Sequence, residues 1–317
     1  MHQICVAPMM DWTDRHCRYF LRQICREAFL YTEMITTGAL LLGEPHRHLA
    51  FHPAEHPVGV QLGGSEPEDL AACARLAQRY GYDEINLNIG CPSERVQHGA
   101  FGACLMAEPQ LVADCVRAIR DAVSLPVTVK HRLGIDRHDE YGFVRDFVGT
   151  VAEAGCATFF VHARIAILKG LSPKENRQVP PLKYEFAYRL KEDFPALEIV
   201  LNGGITSRAD ILRHRARVDG VMLGRAAYHD PWLLSRPGDA RAQVVRALYD
   251  YALVEVRSGT ALRHITRHML GLYHAERRAR LWRQMLSDPA RLARNDPALL
   301  LEALDAVEPD TELARAA

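Results

Sequence analysis

A cysteine lies between a glycine and a proline in the segment Asn86-Leu87-Asn88-Ile89-Gly90-Cys91-Pro92-Ser93, just after a short apolar run. A thiol at the end of a buried strand can serve as a general acid or as a nucleophile. Lys130 ends another such run, Val127-Thr128-Val129, in a chain that uses 34 arginines and only five lysines. A compact ammonium kept there suits an anionic ligand, although an end-of-strand lysine can also snorkel to solvent. His162 closes the next run and could donate a hydrogen bond to the same ligand. Gly203-Gly204 and Gly224-Arg225 follow the last two runs and offer unhindered backbone N–H groups at helix starts, which is how phosphate is bound. Together these residues fit a phosphorylated cofactor with an electron-rich ring, faced by a thiol.

Eight runs position these groups: Ile4 to Pro8, Leu30 to Met34, Val58 to Leu62, Glu84 to Asn88, Val127 to His131, Thr158 to His162, Glu198 to Leu201 and Gly220 to Leu223. Amphipathic segments such as Pro67 to Arg79, Pro109 to Val123, Tyr141 to Ala154 and Arg208 to Arg215 lie between them, as repeated βα units require. Near-continuous apolar strands imply a parallel sheet covered by helices. Eight units in residues 1–235 predict an α/β fold, a closed (β/α)8 TIM barrel whose active site lies at the C-terminal strand ends. An open doubly wound sheet is the competing architecture, but no GxGxxG follows the first strand. Beyond the Arg236-Pro237-Gly238 break only helical periodicity remains, at Ala242 to Val256, Leu262 to His274, Ala279 to Leu286 and Pro297 to Val307. Residues 236–317 are therefore expected to form a small all-helical C-terminal domain.

The 317 residues carry 39 basic and 39 acidic side chains, and 48% of them are hydrophobic, which excludes a disordered, collagen-like or coiled-coil chain. Residues 257–294 hold nine arginines against Glu276 and Asp288, a net of +7, whereas residues 295–317 hold six acids against Arg315. Neutrality is thus cancellation between blocks, and the basic block is a candidate nucleic-acid surface or a solvated helix face. No stretch approaches the ~20 apolar residues of a membrane span, and no secretory signal is expected, so a cytoplasmic protein with no membrane partner is predicted. None of the eight cysteines forms a CxxC pair, which argues against zinc and thioredoxin-like sites, and no disulfide framework is expected. His46, His48, His52 and His56 cluster without acidic or thiol partners at their spacing, so no metal site is expected.

The segment Asn86 to Ser93 resembles the catalytic motif of the tRNA-dihydrouridine synthases, flavin enzymes that reduce a uridine base in tRNA. Ala7-Pro8-Met9-Met10-Asp11, Gln61, Val127-Thr128-Val129-Lys130, Val161-His162-Ala163-Arg164, Asn202-Gly203-Gly204-Ile205 and Asp219 to Arg225 match the same family in order. Ser172-Pro173-Lys174-Glu175-Asn176-Arg177, Arg267-His268-Met269-Leu270 and Ala279-Arg280-Leu281-Trp282-Arg283 look like its A subfamily, which modifies uridines 20 and 20a of the D-loop. His131 after Lys130 and His274-Ala275-Glu276 in the tail depart from the expected pattern without removing a catalytic group.

The resemblance implies that Pro8, Met9, Met10, Gln61, Lys130, His162, Asn202, Gly203, Gly204, Gly224 and Arg225 hold FMN. It implies that Cys91 is the proton donor, and that Asn88, Lys174, Arg177, Arg280 and Arg283 contact tRNA. NADPH would reduce the flavin, with NADH not separated from it by the sequence. The flavin N5 would deliver hydride to C6 of uracil while Cys91 protonates C5 from the opposite face. No protein partner is expected. Two other readings remain at this point: an FMN barrel dehydrogenase acting on a free pyrimidine, and a tRNA-binding or folding factor with a vestigial redox site.

Overall fold

The structure, a computed structural model, describes residues 2–309. Eight strands appear where apolar periodicity placed them: β1 Ile4–Val6, β2 Leu30–Thr36, β3 Val58–Gly63, β4 Glu84–Ile89, β5 Val127–Arg132, β6 Thr158–His162, β7 Glu198–Asn202 and β8 Gly220–Leu223. They form one parallel sheet in the order β1-β8-β7-β6-β5-β4-β3-β2. A parallel bridge between Cys5 and Phe29 draws β1 toward β2, with Val6 N–H donating to the Phe29 carbonyl at 2.9 Å. This is a (β/α)8 barrel, with helices such as Pro67–Tyr80, Pro109–Ala122 and Tyr141–Glu153 packed outside it.

Alternation along each strand sorts side chains to two faces. On β4, Ile85, Leu87 and Ile89 face the helices, while Glu84, Asn86 and Asn88 face the barrel interior; on β5 the inward set is Thr128, Lys130 and Arg132. The middle of the interior is an apolar layer of Cys5, Ala7, Phe29, Tyr31, Phe160, Val200 and Met222. Below it, at the N-terminal ends of the strands, His2 lies between two carboxylates, with Nε2 2.7 Å from Glu84 and Nδ1 2.8 Å from Glu198. Above it the C-terminal ends form the mouth.

The chain divides into two compact units, Met1–Asp11 with Ala28–Gly224, and Trp12–Glu27 with the residues from Arg225 onward. The helical unit thus includes the early helix Arg15–Ile24 and the short segments that follow β8. Asp14 caps that helix at Cys17 N–H (2.9 Å) and pairs with Arg267 (2.6 Å) and His268 (3.0 Å). The helix expected over 262–274 is shorter, Arg263–Met269, because the chain turns at Gly271. A Cβ there would stand 2.5 Å from the His229 carbonyl, so only glycine permits this approach. Trp282 is fully buried in this unit and donates to the Met269 carbonyl at 2.8 Å.

Candidate active site

The turn after β4 is anchored on Asn88. Asn88 Oδ1 accepts the Gly90 and Cys91 N–H groups at 3.1 and 3.0 Å, which fixes the backbone that carries the thiol. Cys91 is half-buried, and its Sγ donates to Ser93 Oγ at 3.5 Å. Among the described residues Cys91 and Cys104 are the two cysteines not buried; Cys104, which its apolar neighbours would bury, instead donates to the Phe101 carbonyl at 3.1 Å.

Next to β4 the inward residues of β5, β6 and β7 stand side by side, Lys130 in register with Asn88, Arg132 with His162 and His162 with Asn202. Lys130 Nζ donates to Asn202 Oδ1 at 3.1 Å, and Asn202 Nδ2 donates to the Met222 carbonyl at 2.7 Å. Burial, with Arg132 beside it, pushes the Lys130 ammonium down to about 7, against a smaller opposing influence of Cys91. Burial and the cations Arg132, Lys130, Arg164 and Arg177 hold His162 far below its usual range, so its ring is neutral and offers one donor and one acceptor.

Arg132 itself is 3% exposed and satisfied by carbonyls: Gly90 through Nε (2.9 Å), Ile165 and Asn176 through Nη1 (3.1 and 2.9 Å). It ties the Cys91 turn to the loop after β6. Asn176, fully buried, braces that loop through the Ile167 N–H and carbonyl and the Leu171 carbonyl. On this loop Lys174 and Arg177 are exposed. Neither Arg132 nor Asn176 was singled out as a site residue in the sequence; the signal for Arg132 is the alternation Thr128-x-Lys130-x-Arg132, which turns it inward.

The cradle is at β7. Gly203 and Gly204 have φ of +110° and +69°, and a Cβ would fall 2.7 Å from the His162 ring at Gly203 and 2.5 Å from Leu182 at Gly204. Both glycines are therefore required by backbone and by space. An added Cβ at Gly224, after β8, meets nothing nearer than Met9 Sδ at 3.9 Å, leaving open room between the first and last strands. Pro8 and Met9 are half-buried there, Met10 is 57% exposed, and Gln61 is buried. A glycine-lined turn beside a cluster of cations fits a phosphorylated, anionic cofactor. Arg225 lies in the helical unit, at the start of the helix Arg225–His229.

In the helical unit Arg280 and Arg283 lie one turn apart on Ala279–Ser287, exposed, with Trp282 and Leu286 on the buried face. Other arginines of the basic block are engaged: Arg267 with Asp14, Arg291 with Glu302, Arg294 with Asp296, and Arg278 with the Ala306 carbonyl. Arg280 and Arg283 have no ion pair among the described residues. The histidine cluster does separate jobs, His52 capping the turn Pro53–Glu55 and His56 pairing with Asp83 at 2.7 Å.

An accessible thiol beside buried cations and a glycine cradle, all at the mouth of a (β/α)8 barrel, defines a barrel enzyme. The dihydrouridine synthase family profile matches residues 5–308, and the chain belongs to that family. It is thereby an oxidoreductase, since forming dihydrouridine means reducing a double bond. Among its relatives is the tRNA-dihydrouridine(20/20a) synthase of Pseudomonas putida, 56% identical over 313 residues, covering 96% of this chain and 93% of that protein. The Pseudomonas aeruginosa protein of the same name is 58% identical over 292 residues (89% and 88%), and that of Synechocystis sp. is 54% identical over 316 residues (96% and 95%). No helix among the described residues is long and apolar enough to cross a membrane.

Proposed function

We propose that this chain reduces the C5–C6 double bond of uridines 20 and 20a in the D-loop of tRNA, with FMN as resident cofactor and NADPH as electron source. The observation that carries the reading is Cys91, held half-exposed by Asn88 at the same mouth as the cradle of Lys130, His162, Asn202, Gly203 and Gly204. FMN, when bound, supplies the hydride for C6. Lys130 and the Gly203-Gly204 turn bind its anionic parts, Gln61 and His162 offer it hydrogen bonds, and Pro8, Met9, Met10, Gly224 and Arg225 complete the surround. Cys91 delivers the proton to C5, so the two hydrogens reach the ring from opposite sides and the double bond is saturated.

The target base must leave its stack to reach the mouth, and contacts elsewhere on the tRNA offset that cost. Lys174 and Arg177 of the barrel unit and Arg280 and Arg283 of the helical unit supply phosphate contacts, and Asn88 turns its free amide hydrogen toward the base. Recognition of this kind reads tRNA shape more than sequence. Such an enzyme works in the cytoplasm, where tRNA is modified. Dihydrouridine mapping of tRNA from cells lacking the protein tests the reading: positions 20 and 20a should become plain uridine. If both stay modified, the proposed substrate is wrong, and a reductase of free pyrimidines becomes the reading to test.

A further inference from the structure

An unbroken row of hydrogen bonds runs inside the barrel from its floor to the Cys91 turn. The Gly90 and Cys91 N–H groups donate to Asn88 Oδ1, Asn88 Nδ2 donates to Gln61 Oε1 at 2.8 Å, and Gln61 Nε2 donates to Asn86 Oδ1 at 2.7 Å. Asn86 Nδ2 then donates to Thr128 Oγ1 at 2.8 Å, and the Thr128 hydroxyl donates to Glu84 Oε1 at 2.7 Å. Glu84 also accepts from the Tyr31 hydroxyl at 2.7 Å, and its second oxygen faces His2 Nε2. Gln61, Glu84, Asn86 and Thr128 are each at most 1% exposed, so solvent offers them no substitute partner.

The direction of the row is fixed from both ends. Backbone N–H groups can only donate, so the Asn88 oxygen must face the turn and its NH2 must face Gln61. A carboxylate can only accept, so Thr128 must give its proton to Glu84 and its lone pair to Asn86. The two requirements meet at Gln61 and Asn86 and agree. Turning either amide over would set donor against donor and acceptor against acceptor in a dry interior. The orientation of these amides therefore follows from the chemistry of the two termini.

We infer that Glu84 and Thr128, deep in the barrel, are positioning residues for the mouth. They hold the amides of Asn86 and Gln61 in the one orientation that matches Asn88, whose own direction the Gly90 and Cys91 N–H groups fix, and through Asn88 they brace the Cys91 turn. The inference rests on the proposed roles of Gln61 toward FMN and of Asn88 toward the target base. Thr158 provides the internal control, because its hydroxyl donates to Glu198 at 2.9 Å in the same floor cluster but leads to nothing at the mouth.

The test compares Thr128→Val, which removes the hydroxyl at nearly constant volume, with Thr128→Ser, which keeps it, and with Thr158→Val. Two readouts are taken on flavin-stripped protein: the FMN dissociation constant, by fluorescence titration, and the rate of Cys91 alkylation by iodoacetamide, by peptide mass spectrometry. Leaving the buried Asn86 amide without its acceptor should loosen the row and so weaken FMN about tenfold and change the alkylation rate about threefold in Thr128→Val. Thr128→Ser should restore both, and Thr158→Val should lower the melting temperature while leaving both at wild-type values. If Thr128→Val only lowers the melting temperature, or if Thr158→Val disturbs the mouth equally, the row is structural and the inference is overturned. If stripped wild-type protein takes up no FMN, the proposed function fails, and the alkylation comparison still decides the inference. Where Thr128→Val does not fold, Glu84→Gln gives the same comparison, since its amide can set a donor against the Thr128 hydroxyl and disturb the foot of the row.

Discussion

The two ends of the barrel treat a cation in opposite ways. At the floor, burial pushes His2 down, but the Glu198 and Glu84 carboxylates outweigh it and raise the ring to about 9. At the mouth, Lys130 has an amide oxygen for a partner and Arg132 for a neighbour, and it falls to about 7. Glu198, in turn, is held well below the usual carboxylate range by His2 although burial opposes this. The floor thus closes its charge within the protein, as a structural group does, whereas Lys130 and Arg132 at the mouth have amide and carbonyl partners and no carboxylate among the described residues. Charge left open in a low-dielectric site is preorganised for an anion that the protein does not itself contain. Mouth substitutions should accordingly cost function and spare stability, and substitutions of His2 and Glu198, which lie off the row to the Cys91 turn, should do the reverse.

Cys91→Ala gives the largest separation of the two. If Cys91 is the proton donor proposed above, its removal should lower turnover of tRNA about 10²- to 10⁴-fold, the usual worth of general acid catalysis, while flavin absorbance and melting temperature stay at wild-type values. Loss of the flavin instead would make Cys91 a packing residue and break the contrast. Next, Lys130→Met removes the open cation at similar length. FMN affinity should fall about ten- to a hundredfold, the worth of a charge-assisted hydrogen bond, and the flavin-free protein should melt no lower than wild type. A lower melting point would mean that Lys130 is bound as tightly into the fold as His2. The helical unit extends the comparison to cations that are open and also exposed. Arg280→Ala with Arg283→Ala should weaken tRNA binding about tenfold and flatten its logarithmic salt dependence by roughly 1.4, two phosphate contacts' worth, without bleaching the flavin. FMN retention, governed by the buried mouth, should change little over the same salt range.

Much of this contrast was legible in the chain. All eight strands lie within two residues of where apolar runs end in polar or glycine-containing loops, because a parallel sheet buried on both faces writes itself as β-branched runs. Cys91, Lys130, His162 and the glycine pair could be found because strand ends in a barrel point to the mouth. Glu84, Asn86, Thr128 and Arg132 were harder to see. Asn86 and Thr128 lie inside a strand and Glu84 and Arg132 at a strand's end, where a polar residue looks like a surface position, and their meaning depends on register between strands that sequence spacing does not state. The division into units was hidden for a related reason. The helix Arg15–Ile24 follows β1 in sequence and reads as the first barrel helix, yet it packs through Asp14, Tyr19 and Tyr251 with helices more than 200 residues later.

The smallest effect is also the one that probes the floor most directly. His2 is bound more tightly to its proton in the folded protein than in the unfolded chain, so the stability it contributes is fully present below its unfolded value of 6.5 and is lost as pH rises through about 9. Glu198 works in the other direction, contributing above its unfolded value of 4.5 and losing that contribution only as pH falls toward its depressed folded value. The floor therefore contributes most between about 4.5 and 6.5. The melting-temperature difference between wild type and His2→Gln should be widest in that window and narrow by several degrees as pH is taken from 6.5 to 9. In Lys130→Met the sign reverses. The folded protein gives up the Lys130 proton near 7 while the unfolded chain keeps it to 10.5, so wild type gains on the variant as pH rises above 7. Two curves that slope in opposite directions over the same pH range would separate a closed charge from an open one inside a single barrel; parallel curves would mean that the two ends are electrostatically alike.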